Sequence, residues 1–447
     1  MSGCIPHGEN TMDSKTHDHA GRAWLTVITL FLAQIVSTID RGMLALVIDP
    51  VRTDLGISEM QIALLQGFAF SIFYVTVGLP LGAVADAVNR RKLLLAGIAV
   101  WSTATVAGGF AEGFGSMFAS RLFIGVGEAV LGPCAVTMIS DLFPPERRGR
   151  PMALYVFGSM IAYGLGSLIC GLILDLAPQG AFAGLPFIGQ LAPWRIAFVL
   201  VGTSGVVLLA LLATLREPAR TTPTARPDGT KLSFGQGLRT MGRECHVFLP
   251  YYMALALFAV GGVVATGWGA VFLTRTFGYA IGAAGKSLGL AQVLWAILGA
   301  GVAGFVVDKV RNRFGVAGRM RLAAALTLFA LPSALPQFAG NDTLAIAMLG
   351  ELMFVMAIYG STMLSVLSEI APPSLRGFAV ALYAFVMTMI GGTLGPVAVA
   401  WLTESVFSDP LAVGWSMAIV GVTAFTLSAL LAFYAAARVQ SLKTVTL

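Results

Sequence analysis

Long apolar runs separated by short polar segments set the pattern of this chain. A membrane-crossing α-helix needs about 20 mostly apolar residues, and twelve runs meet that length. They predict spans at 23–48, 59–83, 93–110, 117–139, 152–176 and 194–215, then at 247–273, 283–307, 320–338, 343–369, 377–402 and 414–437. The stretch between the sixth and seventh runs is rich in Pro, Thr and charge and reads as a linker. The expected organisation is a tail at 1–22, a six-helix bundle at 23–215, a linker at 216–246, a second six-helix bundle at 247–437 and a tail at 438–447. The predicted class is an all-α membrane protein of twelve transmembrane helices in two pseudo-symmetric bundles.

The basic residues sort by side of these runs. With the N-terminus placed inside, 22 of the 28 Lys and Arg fall on the inner side. They include Arg90-Arg91-Lys92, the trio Arg147, Arg148 and Arg150, six residues of the linker, and a cluster from Lys309 to Arg321. Only Arg52, Arg195, Arg275 and Lys286 fall outside, and Arg41 and Arg121 lie within spans. This asymmetry predicts that both termini are cytoplasmic, and an odd number of spans would scramble it.

Composition sharpens the picture. The chain is 57% hydrophobic and 11% charged, against about 25% charged residues in a soluble domain. So few charges cannot cover a globule, so lipid is the expected solvent. The 52 glycines suit helices that approach closely in a bilayer. Residues 1–20 are polar and lack an apolar centre, so no cleavable leader is expected and the first span serves as signal and anchor. Four scattered cysteines show neither disulfide nor metal spacing. His7, His17 and His19 read as part of a solvated tail. The net charge of +6 does not imply nucleic acid, because the basic residues alternate with apolar runs instead of forming one face. Gly285-Lys286-Ser287 lacks the upstream glycine of a phosphate loop and follows no strand, so nucleotide binding is not expected. No cofactor is expected beyond a proton as coupling ion.

The two halves repeat each other. Gly82-x-x-x-Asp86 closes span two and Gly304-x-x-x-Asp308 closes span eight. Pro144-Pro145-Glu146-Arg147-Arg148-Gly149 leads to Ala153-Leu154-Tyr155, and Pro372-Pro373-Ser374-Leu375-Arg376-Gly377 leads to Ala381-Leu382-Tyr383. Parallel halves of this kind place a solute site near mid-membrane at the pseudo-symmetry axis.

Ionisable residues inside spans are costly and are functional candidates. Span one holds Asp40-Arg41. Span four holds Arg121, Gly125, Glu128 and Gly132 at helical spacings that share one face. Asp40 and Glu128 are the candidate proton-coupling pair, and Arg41 and Arg121 the candidate holders of an anionic headgroup. A fixed Asp40–Arg121 ion pair is the alternative. Adjacent helical residues point about 100° apart, so Asp40 and Arg41 are not expected to share one partner. Glu351 in span ten is a candidate substrate-binding charge of the second half, with interhelical packing as the alternative. The turn residues Gly82, Asp86, Asn89 and Arg90 are read as a conformational latch with Asp141, Arg148, Asp308 and Arg376, Asn89 being expected to tolerate a left-handed backbone. Aromatic residues of span two, Phe68, Phe70, Phe73 and Tyr74, are candidates for an apolar tail groove, against a core role. No span carries a mid-helix His, which argues against a membrane-embedded enzyme.

The segment Gly82 to Arg91 resembles the loop motif of the major facilitator superfamily, with Asn89 where Gly is usual. Arg121-x-x-x-Gly125-x-Gly127 resembles its fourth-span motif. Asp40-Arg41, Asn89-Arg90, Gly125-Val126-Gly127-Glu128-Ala129 and Asp141-Leu142-Phe143 are similar to spinster-type transporters, and the likeness concentrates in the first half. The resemblance implies the major facilitator fold, alternating access, proton coupling and an amphiphile such as a lysophospholipid or sphingosine-1-phosphate as substrate. It implies acidic roles for Asp40 and Glu128 and basic roles for Arg41 and Arg121. A small organic anion or drug is the alternative substrate, and a receptor or lipid enzyme the alternative class. A bacterial inner-membrane protein working as a monomer is expected.

Overall fold

The computed structural model describes residues 10–144, 147–220, 242, 245–371 and 376–442; within this, nothing is said of the side chains of 10–20, 79, 82–83, 86–87, 376–377 and 440–442. The first half comprises α1 (Asn10–Leu46), α2 (Ile48–Leu55), α3 (Glu59–Gln66), α4 (Phe68–Ala87), α5 (Arg90–Gly108), α6 (Phe114–Glu128), α7 (Leu131–Leu142), α8 (Gly149–Leu176) and α9 (Pro193–Thr214). The second comprises α10 (Cys245–Phe277), α11 (Ile281–Phe329), α12 (Leu331–Ala334), α13 (Asp342–Ile370), α14 (Arg376–Phe385), α15 (Gly392–Trp401) and α16 (Val413–Leu442).

Ten helical stretches among the described residues are long and apolar enough to cross a bilayer. One of them, Ile281–Ala334, is 54 residues long. At 1.5 Å per residue it spans about 80 Å, more than two bilayer cores. It folds back at Gly315, whose φ of 63° is a left-handed conformation that favours glycine, so this stretch makes two crossings. Helix α5 is the remaining crossing; its opening Arg90, Arg91 and Lys92 lower its mean hydropathy. Twelve crossings result, and each falls on an expected span.

Several spans are broken, and proline explains two of the breaks. Pro50 cannot donate to Leu46, where α1 stops, and Pro133 cannot donate to Ala129, where span four divides into α6 and α7. Span two is divided at Gly67. Span eleven carries a π-helical segment, Val386–Gly391, between α14 and α15.

The face carrying the basic clusters is called here the basic face and its opposite the far face. Hydrophobic packing differs between them. One continuous buried cluster runs through the second half and takes in first-half residues near the far face, among them Met43, Val47, Ile62, Leu65, Leu174 and Trp194. First-half residues toward the basic face, among them Leu30, Leu94, Trp101, Met138 and Leu212, form a separate cluster. The halves are therefore joined by packing on the far side. On the basic side a cavity of about 740 Å³ separates Met152–Met160 of α8 from Ile297–Gly304 of α11.

Candidate functional site

Four ionisable side chains meet between α1 and span four. Asp40 is 1% exposed, Arg121 and Glu128 are each 2% exposed, and the Arg41 side chain is 28% exposed. Burying four charges is tolerable only where each has a counter-charge or hydrogen bonds. Arg121 Nη1 lies 3.9 Å from Asp40 Oδ1 and donates to the Asp40 carbonyl at 3.3 Å. The Thr105 hydroxyl of α5 donates to Asp40 Oδ2. Glu128 Oε2 accepts from Ser37 Oγ at 2.7 Å and lies 3.0 Å from Arg41 Nε. That last contact is an ion pair by distance but lies off hydrogen-bond alignment, since Arg41 Nε has no hydrogen-bonded partner.

Adjacent residues on α1 thus take different partners, as their 100° offset requires. Ser37 and Arg41, one turn apart, share the Glu128 side, and Arg41 Nη2 donates to Ser37 Oγ at 3.2 Å. The guanidinium of Arg41 also lies over Phe70 and Tyr74, at 5.5 and 5.8 Å from their centroids, and those two rings stack on each other. Two of the four span-two aromatics therefore belong to the charged site; Phe73 is exposed at 39%, toward lipid. Phe70 and Tyr74 are thus occupied in covering Arg41 and not in a tail groove.

The glycines of span four set how closely this site is built. A Cβ on Gly125 would sit 2.5 Å from the Phe70 carbonyl, and one on Gly127 would sit 2.6 Å from the Gly97 carbonyl. Gly125 admits span two and Gly127 admits span three, which brings Arg121 and Glu128 to α1. Gly132 has open space at its Cβ position, so the small face of span four is a close helix contact up to Glu128 and opens beyond it. The break of span four falls directly after Glu128.

Sequence reading missed several partners. Thr105, Ser37, Gln34 and Tyr155 are ordinary in apolar helices, yet Tyr155 of α8 donates to Gln34 of α1 at 2.8 Å. A small polar residue one turn before Arg41 is the signal that identifies Ser37. Glu351 is not part of the cluster. It lies in α13, 6% exposed, with both carboxylate oxygens buried and unbonded, and it is not among the residues lining the α8–α11 cavity.

The latch residues divide. Asn89 has φ −65° and ψ 111°, which is extended and not left-handed; its side chain caps α5 by accepting from the Lys92 amide at 2.8 Å. Asparagine is suited there as an N-cap, and that replaces the expected reason. Arg90 is buried and binds Asp141 at 2.5 Å, Glu217 at 2.8 Å and the Pro218 carbonyl at 3.0 Å. It ties span three to the end of span four and to the start of the linker. Arg148 braces its own turn through the Phe143 carbonyl at 2.7 Å. In the second half Glu369 pairs with Arg311 at 2.9 Å and Arg319 at 2.6 Å, matching Asp141 in the repeat. Asp308 lines a shallow cavity of about 590 Å³ with Phe305, Lys309, Asn312 and Arg313. The side chains of Asp86 and Arg376, any Cβ environment at Gly82, and His7, His17 and His19 lie outside the described set.

The twelve-span fold has counterparts among known proteins. The sequence profile of the Major Facilitator Superfamily matches residues 30–396. The chain belongs to this superfamily. It is accordingly a membrane transporter and not an enzyme. A Mycolicibacterium smegmatis protein named an MFS-type efflux pump is 25% identical over 398 residues, covering 88% of each chain. Protein spinster of Drosophila melanogaster is 28% identical over 250 residues, 56% of this chain and 39% of the fly protein. The chain thus spans well under half the length of that relative. Among solved structures, a bacterial homologue of the human lysosomal transporter spinster, in an inward-facing and unoccupied conformation, superposes with a TM-score of 0.76 at 23% identity over 94% of this chain and 98% of that one. The superposition establishes the shared fold. The expected all-α architecture of twelve spans and the spinster relationship both hold.

Proposed function

We propose that this transporter moves an amphiphilic anion, of the lysophospholipid or sphingosine-phosphate kind, by proton-coupled alternating access. The observation that carries this reading is the α8–α11 cavity. Its walls are Met152, Val156, Phe157 and Met160 on one side and Ile297 and Ala300 on the other, with Ser361 among the lining residues. At about 740 Å³ it falls within the usual size of small-molecule sites, and its lining suits an acyl chain. The same stretch of α8 turns Tyr155 toward α1 and the charge cluster. Arg41, the most exposed of the four charged side chains, supplies a cation for a phosphate or carboxylate.

In this reading the basic face is cytoplasmic, in a bacterial inner membrane, and the structure is open on that side. Arg41 is balanced by Glu128 and Arg121 by Asp40. Protonation of either carboxylate frees a guanidinium to bind the headgroup, and headgroup release returns it to its carboxylate. This links one proton site to one anion site without any further group.

The second reading is a small organic anion or drug, exported. It is favoured by the match to the mycobacterial efflux pump, which runs nearly end to end. A panel of labelled lysolipids and organic anions in proteoliposomes, with and without a pH gradient and followed by counterflow, separates the two. Counterflow of lysolipids that rises with tail length supports the first reading. Saturable exchange of tail-less anions alone removes it.

A further inference from the structure

The charge asymmetry leaves only Arg52, Arg195, Arg275 and Lys286 as basic residues near the far face, and all four are tied in ion pairs. Arg195 holds Asp54 at 2.8 Å within the first half. Two of the others cross between the halves. Lys286 of α11 reaches Asp175 of α8 at 2.5 Å, with both side chains 35% exposed. Arg275, at the end of α10, lies 2.6 Å from Asp49 Oδ1 and 2.7 Å from Glu59 Oε1, and its Nε donates to Asp49 Oδ2 at 3.1 Å. Its side chain is 8% exposed and that of Glu59 is 3% exposed.

We propose that Arg275, held by Asp49 and Glu59, is the ionic lock of the far face, and that Arg52 is the residue that lets the lock open. The proposal rests on the alternating-access reading but not on the identity of the substrate. Lys286–Asp175 is exposed and Asp49 itself is 36% exposed, so these contacts are screened and contribute little, whereas separating the buried Arg275–Glu59 pair is expensive when it strands a bare charge. The geometry provides against stranding. Glu59 Oε1 serves two guanidiniums, that of Arg275 and that of Arg52 at 2.6 Å, while its Oε2 is buried and unbonded. When α10 moves away with Arg275, Arg52 stays on the first half with Glu59 and already faces it. Arg275 leaves with a partner too, since its Nη1 donates to the Pro410 carbonyl of the second half at 3.1 Å. The first half therefore keeps Glu59 compensated by Arg52, and Arg275 keeps one carbonyl hydrogen bond in the second half, so the lock holds closure without stranding the buried carboxylate.

The same seam carries the close contacts that closure brings together. Met60 N donates to Glu404 at 3.0 Å, Ser71 Oγ to the Thr388 carbonyl at 3.0 Å, and Gly164 and Gly171 of α8 meet Gly289 and Gly282 of α11. A lock at the rim acts on a surface already shaped to fit.

The test is pulsed electron–electron distance measurement between spin labels at Thr53→Cys and Ser408→Cys, with Cys4 and Cys245 replaced by Ser, in lipid nanodiscs without substrate. Arg275→Gln is expected to raise the long-distance, open fraction relative to the closed one by about tenfold. Arg52→Gln is expected to lower it, because opening then strands Glu59. Lys286→Gln is expected to change the ratio less than twofold, and the exchange Arg275→Asp with Asp49→Arg to return it toward the parent value. Opposite shifts for the two arginines are the signature that a merely structural role does not produce. Shifts of the same sign in Arg52→Gln and Arg275→Gln, or a Lys286→Gln effect as large as that of Arg275→Gln, overturn the proposal. Thermal unfolding of each variant, compared with the parent, separates a shifted equilibrium from a damaged fold. Because no substrate is added, these outcomes stand apart from those of the transport panel.

Discussion

Asp40 and Arg41 are neighbours in sequence but belong to different ion pairs, and that division sets what each substitution does. Glu128→Gln removes the counter-charge of Arg41 while keeping the shape of the side chain, so in the proposed mechanism the guanidinium is released to the substrate anion. The expected result is counterflow that persists and loses its pH dependence, with gradient-driven accumulation reduced more than tenfold; pH-driven accumulation that survives in both Glu128→Gln and Asp40→Asn ends the proton roles. Arg41→Lys keeps the charge but loses the planar group that lies over Phe70 and Tyr74. Lysine is a poorer bidentate and stacking partner, so the substrate KM is expected to rise several-fold with little change in maximal rate. The four ionisable residues were legible in the sequence because a charge in an apolar run stands out. The Asp40–Arg121 pair was one of the two arrangements foreseen, whereas the Arg41–Glu128 pair was not, because it depends on how α1 and span four are rotated about their axes, and neither rotation is encoded in the spacing of one helix. Glu59 and Arg275 passed unnoticed for a different reason. They sit near span ends, where charged residues are ordinary, and only the approach of two halves far apart in sequence gives them a common place.

At the scale of helices, close approach and deliberate breaks do most of the positioning. Gly125 and Gly127 let spans two and three press against span four from different sides. Gly127→Ala inserts a methyl 2.6 Å from the Gly97 carbonyl and 2.7 Å from the Trp101 amide, where backbone cannot yield easily. Overpacking of this kind typically costs about 1–3 kcal/mol. A lowered thermal midpoint in detergent is expected, while Gly132→Ala, with open space, is expected to leave it unchanged. The loop after span two makes a second case. Asn89→Ala removes the cap of α5 and is expected to cost about 1 kcal/mol, whereas Asn89→Gly is expected to cost only a few tenths. A left-handed requirement would instead make glycine more stable than the parent asparagine, so whether Asn89→Gly falls below or above the parent in thermal unfolding decides between the reasons. Span number was legible from run length alone. The break after Glu128 was foreshadowed by Pro133, and the fold-back inside Ile281–Ala334 by Gly315 amid basic residues. The π-helical segment Val386–Gly391 was not read from the sequence.

Across the whole molecule, the split of the hydrophobic core into one cluster shared by both halves and one confined to the first half defines a seam that is closed at the far face and parted at the basic face. Apolar side chains that line the parted seam look like core residues in sequence, which is why the cavity was not legible and only span two was weighed as a groove, against a core role. The structure distinguishes them by what lies opposite. Gly301 has open space where a side chain would project and lines the cavity, so Gly301→Trp fills part of the space without meeting backbone. If an acyl chain occupies this cavity, Gly301→Trp lowers counterflow of long-chain lysolipids at least tenfold and leaves exchange of short, tail-less anions within about twofold, since Arg41 and its partners are untouched. The spin-label distance at the far face is expected to remain near that of the parent, because the substitution is remote from Arg275. Equal loss for long and short substrates shows instead that the seam must close fully on every cycle whatever the cargo, and assigns the cavity to conformational change in place of tail recognition. Undiminished lysolipid transport with the indole in place removes the cavity from the substrate path altogether, leaving the headgroup site of Arg41 to account for selectivity.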